Sequence, residues 1–363
     1  MQSKYTDIYS EIRAWINRVP FKDFYNYLSE WIIGQDNLRL IAANVYNYLD
    51  SIANHRQINH NVLLTAPSGT GKTETYRVLK AYFEEYIPAL PIYIRDTSAV
   101  TATGFKGTEV SQLLVPLVAT GYYKPYGLVF LDEFDKKILP SFNSGGDNVN
   151  MEAQYAMLTV VEGSDIEVKY NNRIKTVNTE NVMFIGLGSF DYFRKNKEKE
   201  RKSIGFGSSI ETFNHFNEIT RENMIEAGGC YELIGRFPLI INYNKLSSEA
   251  IDSIIYKNLG RLEDKYDCDI KITKELQEEL HEVANSKFGC RLIDSVISQK
   301  IMEEYSKALC DDNPDLDKHL VIRLDTDDSS YSYRDLTEEE KEENDPYALV
   351  EKLLASSKSS ESA

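Results

Sequence analysis

Ala66-Pro67-Ser68-Gly69-Thr70-Gly71-Lys72-Thr73 stands between an apolar run, residues 62–65, and a stretch that reads as a helix beginning near Thr73. A strand, a glycine-rich turn and a helix start in that order bring successive backbone N–H groups and the positive end of a helix to one point, where a phosphate is held. In such a loop Lys72 reaches the β and γ oxygens and the Thr73 hydroxyl binds Mg²⁺, while Ser68, Gly69, Thr70 and Gly71 form the backbone cradle. Alanine at position 66 replaces the first glycine of the usual pattern, which is tolerable if φ is negative there.

Some 60 residues further on, Leu128-Val129-Phe130-Leu131-Asp132-Glu133 is a second apolar run, ending in two carboxylates. Asp132 is placed to hold Mg²⁺ through water, and Glu133 to polarise the attacking water as general base. Such a string is common by chance; its place after the phosphate loop gives it meaning. Further short apolar runs at 92–94, 182–185 and 239–241 read as strands separated by helical stretches. The expected fold is α/β, a P-loop parallel sheet with helices on both faces. After Asn244 the pattern becomes helical (247–264, 274–288 and 291–309), flanked by β-like 270–273 and 321–324, which reads as a small, mostly helical second domain.

The expected organisation is a helical N-terminal extension at 1–30, a large domain at 31–244, a small domain at 245–325 and an acidic, disordered tail at 326–363. Composition fits a soluble globular protein of 363 residues, with 42% hydrophobic and 27% charged residues. No apolar run is long enough to span a bilayer and no signal peptide is evident, so the expected location is cytoplasmic. Cys230, Cys268, Cys290 and Cys310 form no CxxC pair, which predicts reduced structural thiols and no zinc. The formal net charge of −16 disfavours nucleic acid as a partner, although roughly half of it falls in the last 40 or so residues.

From about Leu28 to Leu324 the chain resembles the ClpX branch of the AAA+ ATPases. Trp31-Ile32-Ile33-Gly34-Gln35 is similar to that family's adenine-contacting segment, with Ile32 and Ile33 as the apolar wall. Leu131-Asp132-Glu133-Phe134-Asp135-Lys136 matches its extended carboxylate string. Glu232-Leu233-Ile234-Gly235-Arg236-Phe237-Pro238 resembles its arginine-finger motif, which would send Arg236 to the γ-phosphate of a neighbouring subunit; the other reading of Arg236 is a surface ion pair. Gly289-Cys290-Arg291 resembles the second sensor, which puts Arg291 beside the phosphates. At the first sensor, Leu187 and Gly188 carry no side-chain hydrogen bond, and Ser189 is the nearest polar group.

Two loops carry what the resemblance implies about work. Gly104-Phe105-Lys106-Gly107 occupies the place of the aromatic pore loop that grips polypeptide, with Lys106 in place of the usual aliphatic residue. Ile204-Gly205-Phe206, in a charged stretch, matches the tripeptide by which that family docks on ClpP-type peptidases. The resemblance thus implies an ATP- and Mg²⁺-dependent homohexameric unfoldase, threading protein substrates into a ClpP-type peptidase. Departures are the missing Cys₄ zinc module, a short hairpin (166–169 and 173–177) in place of a basic gating loop, and a 140–150 loop without arginine. A stand-alone remodeller is the main alternative; a DNA-associated switch lacks a basic stripe, and a scaffold without turnover conflicts with Lys72, Asp132, Glu133 and Arg236 all being present.

Overall fold

In chain order the strands of the first half are β1 (Val62–Thr65), β2 (Ile92–Asp96), β3 (Val100–Thr101), β4 (Thr108–Glu109), β5 (Gly127–Asp132), β6 (Asp165–Tyr170), β7 (Arg173–Asn178), β8 (Val182–Gly188) and β9 (Leu239–Asn242). Five of them form a parallel sheet in the order β2-β5-β8-β1-β9. The computed structural model describes residues 2–56, 59–101, 108–192, 218–286, 289–310 and 318–337, and divides into two units, 1–247 and 248–363.

The two faces of the sheet serve two cores, because side chains alternate along a strand. Val62, Leu64, Leu128, Phe130, Met183 and Ile185 join a core with helices 2–18, 21–31, 38–53 and 72–86. Leu63, Val129, Leu131, Val182 and Phe184 join the other, with the 110–119 segment and helices 149–161 and 231–235. Burial on both faces explains why these strands read as unbroken apolar runs.

The stretch 1–30, set apart in the sequence, shares the first of these cores. Trp15 is buried and donates from its indole N–H to the Tyr82 hydroxyl at 3.2 Å, with Phe24, Tyr46 and Phe83 against its ring. The N-terminal helices thereby brace helix 72–86, the one that begins at Lys72. Trp15→Ala is expected to destabilise the first unit by about 3–5 kcal/mol in urea unfolding followed by circular dichroism. A loss below about 1 kcal/mol would make the leading helix an appendage.

The second unit contains helices 248–266, 274–285 and 291–309 with a small sheet of β10 (Cys268–Ile272), β11 (Lys318–Leu324) and β12 (Ser330–Asp335). β10 runs parallel to β11, and β12 antiparallel to it. β12 corrects the sequence reading, which assigned everything after Asp325 to a disordered tail. Arg334 grips Asp269 on β10 with two N–H donors, at 2.6 and 3.2 Å, and so fastens β12 across the sheet. The remainder of that tail, 338–363, lies outside the described residues. Burial pushes the Cys268 and Cys290 thiols up to about 11, which keeps both neutral and poorly reactive. Among the described residues no helix is long and apolar enough to cross a membrane.

Candidate nucleotide site

The glycine-rich loop, the candidate phosphate cradle, leaves the sheet at Thr65. Ala66 N donates to Gly188 O at 3.1 Å, and the Thr65 hydroxyl to Asn242 Oδ1 at 2.6 Å, so both neighbouring strands fix where the loop starts. Ala66 is not among the residues with positive φ, and alanine therefore fits where the usual pattern has glycine. Gly69 and Gly71 do adopt positive φ, +75° and +107°, and Gly71 caps the helix that starts at Lys72. The buried Lys72 ammonium folds over its own loop, donating to Ala66 O at 2.5 Å and Pro67 O at 3.0 Å. A cation and a helix N-terminus meet here on a turn, which suits a polyphosphate anion.

Ile32 lies against this loop: a Cβ on Gly71 would sit 3.9 Å from its Cγ2. Ile32 is buried and Ile33 partly so, as an apolar wall requires. Gln35 sets the distance between this wall and the loop. Its amide donates to Thr70 O at 2.9 Å and to Asn244 O at 3.1 Å, while its carbonyl accepts from Asn244 N at 2.9 Å.

The carboxylates end β5, two strands from β1 with β8 between them. Since all three run parallel, the loop and the acidic pair emerge at one edge of the sheet, about 10 Å apart by strand spacing. Thr97, just after β2, donates to the Asp132 carbonyl from its N–H at 2.9 Å and its hydroxyl at 2.7 Å. Asp132 Oδ1 accepts from Glu133 N at 3.0 Å. Glu133 is exposed and has φ +54°, a left-handed conformation that costs a side-chain-bearing residue roughly 1–2 kcal/mol. Among the described residues no cluster of three or more His, Cys, Asp or Glu is arranged to hold a metal. The Thr73 hydroxyl and the Asp132 carboxylate are hard oxygens, a donor set that would suit Mg²⁺ sharing a nucleotide's phosphates.

At the end of β8, Ser189 donates to Asp135 Oδ2 at 3.1 Å. The strand's missing polar side chain has a steric reason. A Cβ on Gly186 would come within 2.5 Å of Leu63 Cδ2 and 3.3 Å of Phe134 Cγ, and one on Gly188 within 3.0 Å of Asp135 Cβ. The turn after β5 lies directly on this strand.

Arg236 follows helix 231–235 and pairs with Glu162 at 3.2 Å, with its side chain 47% exposed. The fully buried Gln154 fixes that helix: Cys230 N donates to its Oε1 at 2.6 Å, and its amide donates to Lys137 O at 2.9 Å and Gly228 O at 3.2 Å. Arg291 opens helix 291–309 in the second unit, directly after Gly289 at φ +62° and Cys290. Gly104, Phe105, Lys106 and Gly107 lie outside the described residues; the segments on either side of them pair as β3 and β4. Ile204, Gly205 and Phe206 lie outside them too. The chain is described again from Glu218, where Asn242 holds Ile219 by accepting from its N–H at 2.8 Å and donating to its carbonyl at 3.1 Å. The short hairpin is present as β6 and β7, turning through Asn171 and Asn172 at φ +50° and +57°.

Residues 58–240 match the family model of the AAA domain (Cdc48 subfamily). The chain is also similar to the ATP-dependent Clp protease ATP-binding subunit ClpX of Treponema denticola, with 28% identity over 279 residues, 69% of this chain and 66% of that protein. Against the subunit of the same name in Bacteroides fragilis, identity is 26% over 320 residues, 77% of this chain and 74% of the relative. Against ClpX 3 of Methylococcus capsulatus it is 28% over 274 residues, 64% and 62% of the two chains. The chain thus spans about two thirds of the length of the first of these relatives.

Proposed function

We propose, since this chain belongs to the AAA domain family and is an ATPase, that it is the motor subunit of a homohexameric protein unfoldase working in the cytoplasm, which feeds polypeptide to a ClpP-type peptidase. The observation that carries the reading is the extent of its similarity to ClpX proteins, which covers most of the chain rather than the nucleotide loop alone.

In this reading Ile32 and Ile33 flank the adenine, and the loop from Ser68 to Gly71 cradles the phosphates. Lys72 leaves its carbonyl partners, Ala66 and Pro67, to pair with the β and γ oxygens. Thr73 and, through water, Asp132 would hold Mg²⁺, which would supply neutralisation of phosphate charge. Glu133 takes a proton from the attacking water, and its exposed, left-handed position at the sheet edge leaves room for that water. Arg236 exchanges Glu162 for the γ-phosphate of a neighbouring subunit. Phe105 grips polypeptide, Lys106 favours acidic segments, and Ile204, Gly205 and Phe206 dock the peptidase.

Casein, which is unfolded and needs no recognition tag, is expected to stimulate ATP turnover several-fold, and Phe105→Ala to remove that stimulation while basal turnover stays within about threefold. Stimulation that survives Phe105→Ala would take the grip away from this loop. The stand-alone remodeller shares this expectation and parts from the peptidase reading only at Phe206.

A further inference from the structure

We propose that Asp135 is a positioning residue for ATP hydrolysis: its carboxylate ties the turn that carries Glu133 to the end of β8 and so holds that base in its left-handed conformation. The inference rests on Glu133 being the general base.

Asp135 is only 8% exposed, and one oxygen, Oδ2, accepts from both the Ser189 hydroxyl at 3.1 Å and Phe190 N at 3.0 Å. One residue earlier, Phe134 N donates to Leu187 O at 2.9 Å. Of the two residues directly after Glu133, Phe134 is therefore fastened to β8, which separates the acidic pair from the loop 66–73, and Asp135 to the two residues that follow that strand. The bonds to Asp135 are charge-assisted, and the one from Phe190 N is buried, which makes them stronger than neutral ones.

Both ends of the contact carry unfavourable backbone. Glu133 has φ +54° and Phe190 φ +50°, and neither is a glycine. Conformations of this kind persist where surrounding contacts over-determine them. Gly186 and Gly188 supply the close approach, since a Cβ at either position would collide with the turn or its neighbours. Without the carboxylate, the backbone at Glu133 is free to relax to negative φ and swing its side chain off line. None of these bonds involves residues 67–73, so the loss strikes turnover and leaves nucleotide affinity alone.

The test compares Asp135→Ala, Asp135→Asn and Ser189→Ala in full-length protein, alone and with Glu133→Gln. It reads kcat for ATP and the Kd of a fluorescent ATP analogue. Asp135→Ala is expected to lower kcat about 10- to 100-fold with Kd within about threefold, the effect of a misaimed catalytic group. Asp135→Asn keeps an acceptor oxygen and is expected to recover to within about fivefold of the native rate. In the Glu133→Gln background Asp135→Ala should change residual turnover less than about threefold, because both residues act on one step. An unchanged kcat in Asp135→Ala, a rise in Kd that matches the loss of rate, or an equal loss with Glu133→Gln would each overturn the proposal. Should Asp135→Ala fail to fold, Ser189→Ala decides. A several-fold fall in kcat at constant Kd supports the tie, and native kcat refutes it. A Glu133→Gln protein that hydrolyses ATP normally would instead remove the base assignment itself, so the two failures are told apart.

Discussion

Glu133→Gln is expected to lower ATP turnover by about 10²–10⁴-fold, the usual contribution of a positioned general base. Glutamine has nearly the same shape and meets the same backbone strain, so the turn at φ +54° is retained while the proton acceptor is lost. ATP affinity should hold within a few-fold, because Lys72, Thr73 and the glycine loop are untouched. Steady-state hydrolysis set beside equilibrium binding of a fluorescent ATP analogue separates the two effects. Normal turnover would move the base elsewhere; Asp132 is the adjacent candidate, its side chain accepting from Glu133 N.

Arg236→Ala is expected to cost a factor of about 10³–10⁵ in the assembled protein, since a guanidinium at the γ-phosphate offsets charge that spreads over the transferred oxygens. The ion pair with Glu162 does not argue against this role. It is about half exposed on the arginine side, and such pairs contribute about 0–1 kcal/mol, so Arg236 is released at little cost. The account makes the effect intersubunit. Mixing Arg236→Ala with Glu133→Gln protein should restore part of the turnover, because a native Glu133 on one subunit then meets a native Arg236 on the next. Mixtures as inactive as either parent would place Arg236 within its own subunit's site, or outside catalysis altogether.

Most of the scaffold was legible because it rests on apolar runs. The three central strands of the main sheet, β1, β5 and β8, are buried on both faces, and a fully buried strand leaves an unbroken hydrophobic signature. The glycine-rich turn after β1 was equally plain, since such a turn takes the positive φ found at Gly69 and Gly71. What escaped was single polar residues whose partners lie far away in the chain. Asn242 receives the Thr65 hydroxyl, and Gln154 joins Lys137, Gly228 and Cys230; each reads in sequence as an isolated polar residue in an apolar element. Thr97 and Gln35 belong to the same class. Leu187 and Gly188 were read only as offering no side-chain hydrogen bond; that the smallness of Gly186 and Gly188 admits Phe134 and Asp135 was not legible. β12 was hidden by charge: the acidic residues around it suggested a solvated tail, and the Arg334–Asp269 fork that secures it spans 65 positions.

The most direct test of the central claim is degradation of fluorescently labelled casein by this protein with ATP and a ClpP-type peptidase, beside a Phe206→Ala control. The account predicts ATP-dependent release of fluorescent peptides that falls at least about tenfold in the control, while ATP turnover remains within about twofold of native. Brisk ATP hydrolysis with no peptide release by the native protein would contradict it, and would leave a remodeller that works without a peptidase.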